Sequence, residues 1–463
     1  MEVKSQQYPE LARKILRQTP QVREAVTRAA LHFDHNRQTA YAEIDAAFWR
    51  QWAEAVKNHV LTHLDHYLEL AEQRLAARGV RVHWAETAED ARRVLRELVR
   101  AHGVKRAVKA KSMLSEELGV NPALEALGVE VFETDLGEYI IQLAGEPPSH
   151  IVGPAIHRNL EEIRRLFHER LGTPLDAEPD ALAREARRVL REAFLSAEMG
   201  VSGANFLVAE TGTIALIENE GNIRLTTSLP KVHVALVGIE KLLPSLADLA
   251  VFLQLTARAA TGQRIGTFVS LIQGPRTEAE PDGPEEVHVV LVDNGRSALL
   301  ADPEAWEVLR CVRCGACLNA CPVYRQTGGH AYGWVYSGPI GAVLDPGLLG
   351  LEATLPLPFA SSLCGACFEV CPVRIPIPKL LVTWRQRAVA AGLASRPEAG
   401  AVRAYAEVMT RPELYRLFSK ALRVFPGALE HPVLPVVRAW RAGRSGLKPS
   451  PKSFRELWEE GAV

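Results

Sequence analysis

Cys311-Val-Arg-Cys314-Gly-Ala-Cys317-Leu-Asn-Ala-Cys321-Pro322 is the stretch on which the reading of this chain turns. Its spacing is C-x2-C-x2-C-x3-C-P. In that run three thiolates hold one iron–sulfur cubane and the fourth reaches a neighbouring cluster. Close spacing lets one tight loop wrap three irons and direct its amides at the sulfides. Those amides offset the negative charge and tune the potential. Pro322 turns the chain away after the fourth thiolate. A second motif, Cys364-Gly-Ala-Cys367-Phe-Glu-Val-Cys371-Pro372, repeats the same ending. Aligned on that ending, its missing first ligand falls on Ser361.

Exchange of the last ligands groups Cys311, Cys314, Cys317 and Cys371 around a first cluster, expected as [4Fe-4S]. Cys321, Cys364 and Cys367 fall to a second. Seven cysteines cannot fill eight thiolate corners. Three arrangements satisfy the count at the second centre. It is a [3Fe-4S] cluster, a [4Fe-4S] cluster with Ser361 or water on the odd iron, or a cluster completed by a partner subunit. Structural zinc prefers paired C-x2-C motifs in a closed tetrahedron and fits this run poorly. No cysteine precedes Cys311 or follows Cys371, unlike a secreted disulfide framework. The distribution implies metal in a reducing cytoplasm.

Working outward, the 463 residues suffice for two or three domains. A formal net charge of −1 gives no global pull toward nucleic acid or an anionic membrane. No apolar run is long enough for a transmembrane helix, and the start lacks the apolar stretch of a secretory signal. Contact with a membrane would be indirect, through a partner. The periodicity predicts helices over 25–35 and 46–77, with Ala46, Trp49, Trp52, Val56, Val60 and Leu64 as one packing stripe. Thr87 and Asp90 read as a capping box for a helix over 88–101. Strands are expected at 80–84, 104–109, 129–134, 206–208, 213–218, 232–237, 267–271 and 287–292, with helices over 114–118, 122–127, 157–171 and 180–197. Helices between strands imply a largely parallel α/β sheet with covered faces. Residues 275–286 read as a loop. After 391 comes a tail with prolines at 426, 432, 435, 449 and 451, ending in an amphipathic piece, Phe454–Trp458. His83, His150, His157 and His233 are scattered and read as surface or core histidines.

Several segments outside the cysteine region resemble the lactate utilization (LUD) domain. They are Asn205-Phe-Leu-Val-Ala-Glu210-Thr211-Gly212-Thr213, Lys111-Ser-Met-Leu-Ser-Glu116, Glu133-Thr-Asp135-Leu-Gly137-Glu138-Tyr139 and Asp293-Asn-Gly-Arg296. The tail around Pro451-Lys-Ser-Phe-Arg-Glu-Leu-Trp458 is similar too, so the likeness runs from about 20 to 460. One departure is Glu198, where the pattern has Asp. The chain is most similar to the LutB-type iron–sulfur subunits of the three-protein system that oxidises L-lactate to pyruvate. The resemblance implies an open α/β sheet like that of the sugar-phosphate isomerase and CoA-transferase superfamily. An α-helical ferredoxin domain follows it, with helical extensions at both ends. The expected division is 1–75, 76–300, 301–390 and 391–463. The implied partners are a cysteine-rich LutA-like subunit and a LutC-like LUD subunit.

In open α/β sheets, ligands sit beyond the carboxyl ends of the strands. Glu210, Thr211, Thr213, Lys109, Lys111, Asp135 and Glu138 are the candidates for one such cleft. Lysine for an anion and a carboxylate for proton transfer suit a small hydroxy or keto acid. The plain alternative for Glu210–Thr213 is a tight turn. Three functions remain open. The chain is an electron-transfer subunit of an L-lactate-oxidising complex, its LUD domain itself acts on lactate or another 2-hydroxy acid with the clusters as acceptor, or it is an interaction scaffold whose clusters are structural. The aromatic insert, with His330, Tyr332, Trp334 and Tyr336, shields a cluster, faces a partner or simply packs.

Overall fold

Runs such as Val232-His-Val-Ala-Leu-Val-Gly and Glu286-Val-His-Val-Val-Leu-Val carry apolar side chains on both faces, so they require cover on both sides. They are central in the computed structural model of the chain, which describes residues 2–393, 396–424, 438 and 450–462. Ten strands occur among the described residues: β1 (Arg81–Ala85), β2 (Arg106–Lys109), β3 (Glu130–Glu133), β4 (Met199–Ser202), β5 (Phe206–Val208), β6 (Thr213–Glu218), β7 (Val232–Gly238), β8 (Leu242–Leu243), β9 (Phe268–Ile272) and β10 (Glu286–Val292). Six form one sheet in the order β1-β10-β7-β4-β2-β3. Every pairing in it is parallel, and Lys109 at the end of β2 is level with Glu133 and Val201. The strands therefore end along one edge, where the chain turns into loops. Helices cover the sheet, among them Ala88–His102, which begins at the expected Thr87–Asp90 capping box.

A second sheet, β8-β5-β6-β9, is mixed, with β5 antiparallel to β6 and parallel to β8. Neither β4 nor β8 is expected from the residue pattern. β4 is four residues, Met-Gly-Val-Ser, and β8 only two, too short for a pattern to show. The helices Leu136–Ala144, Asn222–Ser228 and Leu246–Thr261 were likewise unexpected.

The expected helix over 46–77 is two helices, Ala46–Thr62 and Leu64–Ala76, broken at His63 (φ −125°, ψ 36°). The packing stripe is also corrected. Trp52 is exposed, stacked 6.1 Å from Trp49, and the buried face runs through Ala53, Val56, Val60 and Leu61. Helix Ala46–Thr62 packs against both β8 and the segment leading into the first cysteine loop.

The described chain divides into two units, Met1–Gln386 and Arg387–Val463. The first holds both sheets, the N-terminal helices and all seven cysteines. In the second, the described helices are Arg396–Thr410, Pro412–Val424 and Phe454–Glu459, the last capped by Ser453. Pro426, Pro432, Pro435 and Pro449 lie outside the described residues.

Candidate metal centre and adjoining cleft

The two cysteine loops trace the same path. In the first, Arg313 (φ 61°) and Gly315 (φ 77°) flank Cys314; in the second, Leu363 (φ 55°) and Gly365 (φ 86°) flank Cys364. A left-handed non-glycine residue costs roughly 1–2 kcal/mol, yet both loops place one at the same step. The amides follow suit. Arg313 N donates to Cys311 Sγ at 3.4 Å, and Leu363 N donates to Ser361 Oγ at 3.1 Å. Tyr324 N and Ile375 N point at Cys321 Sγ and Cys371 Sγ, at 3.4 and 3.3 Å.

All seven cysteines are unpaired thiols. Cys311, Cys314, Cys317 and Cys371 line one narrow cavity, although Cys371 follows Cys311 by a long stretch of chain. Cys371 and Cys311 act by charge on Cys314, and Cys321 and Cys364 act on Cys367, while Cys317 feels Cys367 as well as Cys311, Cys314 and Cys371, so the two groups of thiols lie side by side. Burial first, then neighbouring thiols, push Cys367 up to about 12; Cys371 rises to about 11 by burial. Packed thiols that resist ionisation, ringed by inward amides, are a donor set a positively charged metal cluster would relieve. The residues fit such a group. Cys364 alone is exposed.

The N-terminal helices hold these loops, which sequence reasoning missed. Arg50 donates to the carbonyls of Cys371 (2.9 Å) and Phe368 (3.0 Å). Glu54 pairs with Arg310 (3.0 Å), just before the first cysteine, and with Arg374 (2.9 Å), just after the last. A lone Arg or Glu on a helix carries no signal in a single sequence. The aromatic insert packs inward: Tyr332, Trp334 and Tyr336 are buried, so these three face no partner.

Beyond the carboxyl ends of β2, β4 and β7 lies a cleft of about 580 Å³ that reaches Cys314. Lys111 and Asp135 line it, and Lys111 Nζ contacts Asp135 (3.0 Å) and the carbonyl of Val152 (2.9 Å). Asp135 also caps helix Leu136–Ala144, accepting from Gly137 N and Glu138 N. Lys109 turns away from the cleft. It is fully buried, 3.0 Å from Glu116 and 2.9 Å from Glu133. Burial and Glu133 push the buried carboxyl of Glu138 well above the ordinary range, beside that same lysine. Glu210, Thr211 and Thr213 do not join this group. They form the β5–β6 turn against helix Leu64–Ala76, where Gly212 abuts Leu75, and Glu210 accepts from Leu246 N. Glu198 accepts from Lys105 N and Arg106 N at the start of β2, the other end of the sheet.

Between cleft and cysteines lies a buried ionic network. Arg296 Nη1 and Nη2 hold Glu117 at 2.9 and 2.8 Å, and its Nε holds Glu240 at 2.6 Å. Tyr336 donates to Glu117 (2.6 Å), as does Asn294 (2.7 Å). Arg313 reaches Glu240 at 3.3 Å and lies over the Tyr336 ring, 4.5 Å from its centroid. Burial alone would raise Glu240, but Arg296 and Arg313 hold it at about 2. His150 bonds Asn319 (3.1 Å) and ties a sheet loop to the first cysteine loop.

Comparison with known proteins matches three family models along the chain. They are the LUD domain at residues 68–292, a 4Fe-4S dicluster domain at 307–375, and the lactate utilisation protein B C-terminal region at 388–463. Lactate utilization protein B of Bacillus licheniformis is 45% identical over 420 residues, covering 89% of this chain and 88% of that protein. This chain belongs to the lactate utilization protein B family. The Bacillus velezensis member is 48% identical, covering 89% of this chain and 88% of its own. An uncharacterized electron transport protein of Escherichia coli is 45% identical, covering 86% of this chain and 84% of its own. Among the described residues, no helix is long and apolar enough to cross a membrane.

Proposed function

We propose that this chain is an iron–sulfur electron-transfer subunit in the oxidation of L-lactate to pyruvate. The observation that carries the reading is the twinned pair of cysteine loops, one thiol from the second lining the cavity of the first. Cys311, Cys314, Cys317 and Cys371 hold the first cluster, and Cys321, Cys364 and Cys367 the second. Ser361 stands at the open corner, because its Oγ receives the amide that Cys311 Sγ receives in the twin loop. Bound clusters would supply one-electron transfer. The protein's own part is to present two ends. Cys314 borders the cleft, and exposed Cys364 faces outward, where a partner can dock. The family relationship supports a cysteine-rich LutA-like subunit and a LutC-like subunit as those partners. It also supports a division at 1–75, 76–300, 301–390 and 391–463, close to the matched family ranges.

The test is anaerobic purification with iron and sulfide counts and spin-resonance spectra. Cys371→Ser should alter the same signal as Cys311→Ser, and Cys364→Ser a different one. Stoichiometric zinc without iron, or Cys371→Ser altering the Cys364 signal, overturns the assignment. The cleft ending at Cys314 favours a second reading, in which the LUD domain itself acts on a 2-hydroxy acid. Turnover of L-lactate by the lone subunit with an artificial acceptor would establish it.

A further inference from the structure

We infer that the cleft is a receptor for a small organic carboxylate, seated between Lys241 and Arg313 beside the first cysteine loop. The inference deepens the reading above and rests on it for the ligand class. Both side chains line the same 580 Å³ cavity, which also touches Cys314 and Tyr336.

Arg313 is a buried guanidinium, with its side chain 8% exposed. One nitrogen reaches Glu240; the other, Nη1, is buried with no partner. Leaving a charged donor buried and unpaired is expensive, so such groups are found where a ligand or water completes them. Lys241 follows the end of β7, and no hydrogen bond or ion pair of its ammonium occurs among the described residues. Arg296, Arg313, Lys241 and Lys57 gather around the carboxylates of Glu117 and Glu240, while Glu218 and Glu220 also line the cavity, Glu218 held by Ile223 N and Arg224 N. Arg296 is consumed by Glu117 and Glu240, and Lys57 donates to the carbonyl of Glu240. Arg313 and Lys241 are the pair left on the cavity lining.

Lys111, which lines the same cavity, is already neutralised by Asp135, so it adds no competing free charge. Gly203 forms part of the floor, and a Cβ on it would lie 2.5 Å from Ser112 Oγ, so the floor admits no side chain. Two donors of unequal shape on one cavity, one planar and forked, one a point charge, suit a carboxylate with an adjacent oxygen. The cations also lie near Cys311, so charge compensation of a bound cluster is the rival explanation. The experiment separates the two.

Holoprotein, its iron counted and its reducible signal recorded, is titrated by calorimetry with pyruvate, L-lactate and inorganic phosphate. Pyruvate or L-lactate should bind saturably at one site per chain. Lys241→Ala should weaken that binding roughly ten-fold or more, the loss of one charge-assisted hydrogen bond, with iron content unchanged. Lys241→Arg should restore most of it, and Lys231→Ala, at the far end of β7, should leave it unaltered. No saturable binding, equal binding in Lys241→Ala, or phosphate binding as tightly as pyruvate overturns the inference. If iron and signal are present while binding is absent, only this inference falls. If iron itself is absent, the electron-transfer reading falls with it.

Discussion

Glu117 takes hydrogen bonds from three side chains of two other segments, and replacing it with Gln tests whether that junction holds sheet and cysteine region together. Its carboxylate is 0% exposed and accepts from Arg296 twice, from Tyr336 and from Asn294. Gln keeps the shape but removes the charge and turns one acceptor into a donor facing donors. Arg296, 1% exposed, then keeps Glu240 as its one carboxylate partner, beside the carbonyl of Asp293. Breaking a buried pair by removing one partner costs about 3–5 kcal/mol. Tyr336→Phe should cost about 1.5–3 kcal/mol, the worth of a hydrogen bond to a charged group. In the Glu117→Gln background it should cost much less, because the charge is gone. Denaturant unfolding of the holoprotein, read by cluster absorbance and tryptophan emission, measures both. Trp334 lies 5.5 Å from the Tyr336 ring and reports the site directly. Burial would raise Glu117, but Arg296 and its other donors hold it below the ordinary carboxylate range. Its contribution is therefore full above the unfolded carboxylate value and fades as pH falls toward the folded one. The variant should lack that part of the acid limb. A Glu117→Gln protein within about 1 kcal/mol of wild type, or equal Tyr336→Phe costs in both backgrounds, would refute the reasoning.

Three further outcomes are expected. Ser361→Cys supplies the missing thiolate, so brief air exposure should no longer strip iron from the second centre; unchanged iron loss counts against the register. His150, His233 and His288 are each pushed down to about 4, by burial above all, from an ordinary 6.5. Both folded and unfolded states are neutral above that ordinary value, so these histidines cost no stability there. Between it and the folded value, the unfolded chain takes up protons the folded one refuses, and the denaturation midpoint should fall. A flat midpoint through that window would show the histidines are not buried neutral. Gly212→Ala combines a φ of 66° with a Cβ 2.8 Å from Leu75 N. It should lose more than about 1 kcal/mol without altering iron content; loss of iron would mean the β5–β6 turn supports the cysteine loops.

Period-two and near-continuous apolar runs made most strands legible, because a strand covered on both faces leaves its composition no freedom. β4 escaped because Gly200 and Ser202 interrupt so short a run. The Trp49–Trp52 stripe misled because two neighbouring aromatics fit a helical face equally well whether it is buried or open. In the cleft, Lys111 and Asp135 were readable as candidates, but Lys241 and Arg313 were not. Nothing local distinguishes a lysine after a strand, or an arginine inside a metal motif, from any surface cation.

By itself the sequence determined the metal chemistry. Thiolate spacing is a local property, and a tight loop can meet several irons of one cluster only at those intervals. It also determined that Ser361 stands where a cysteine would, since the two motifs share one register. Only the tertiary structure decided which charges meet. Arg296, Glu117, Glu240 and Tyr336 come from distant segments, and Cys314 borders a cleft built from the ends of three strands. Contacts between segments far apart along the chain depend on how whole layers pack, and no local pattern encodes them.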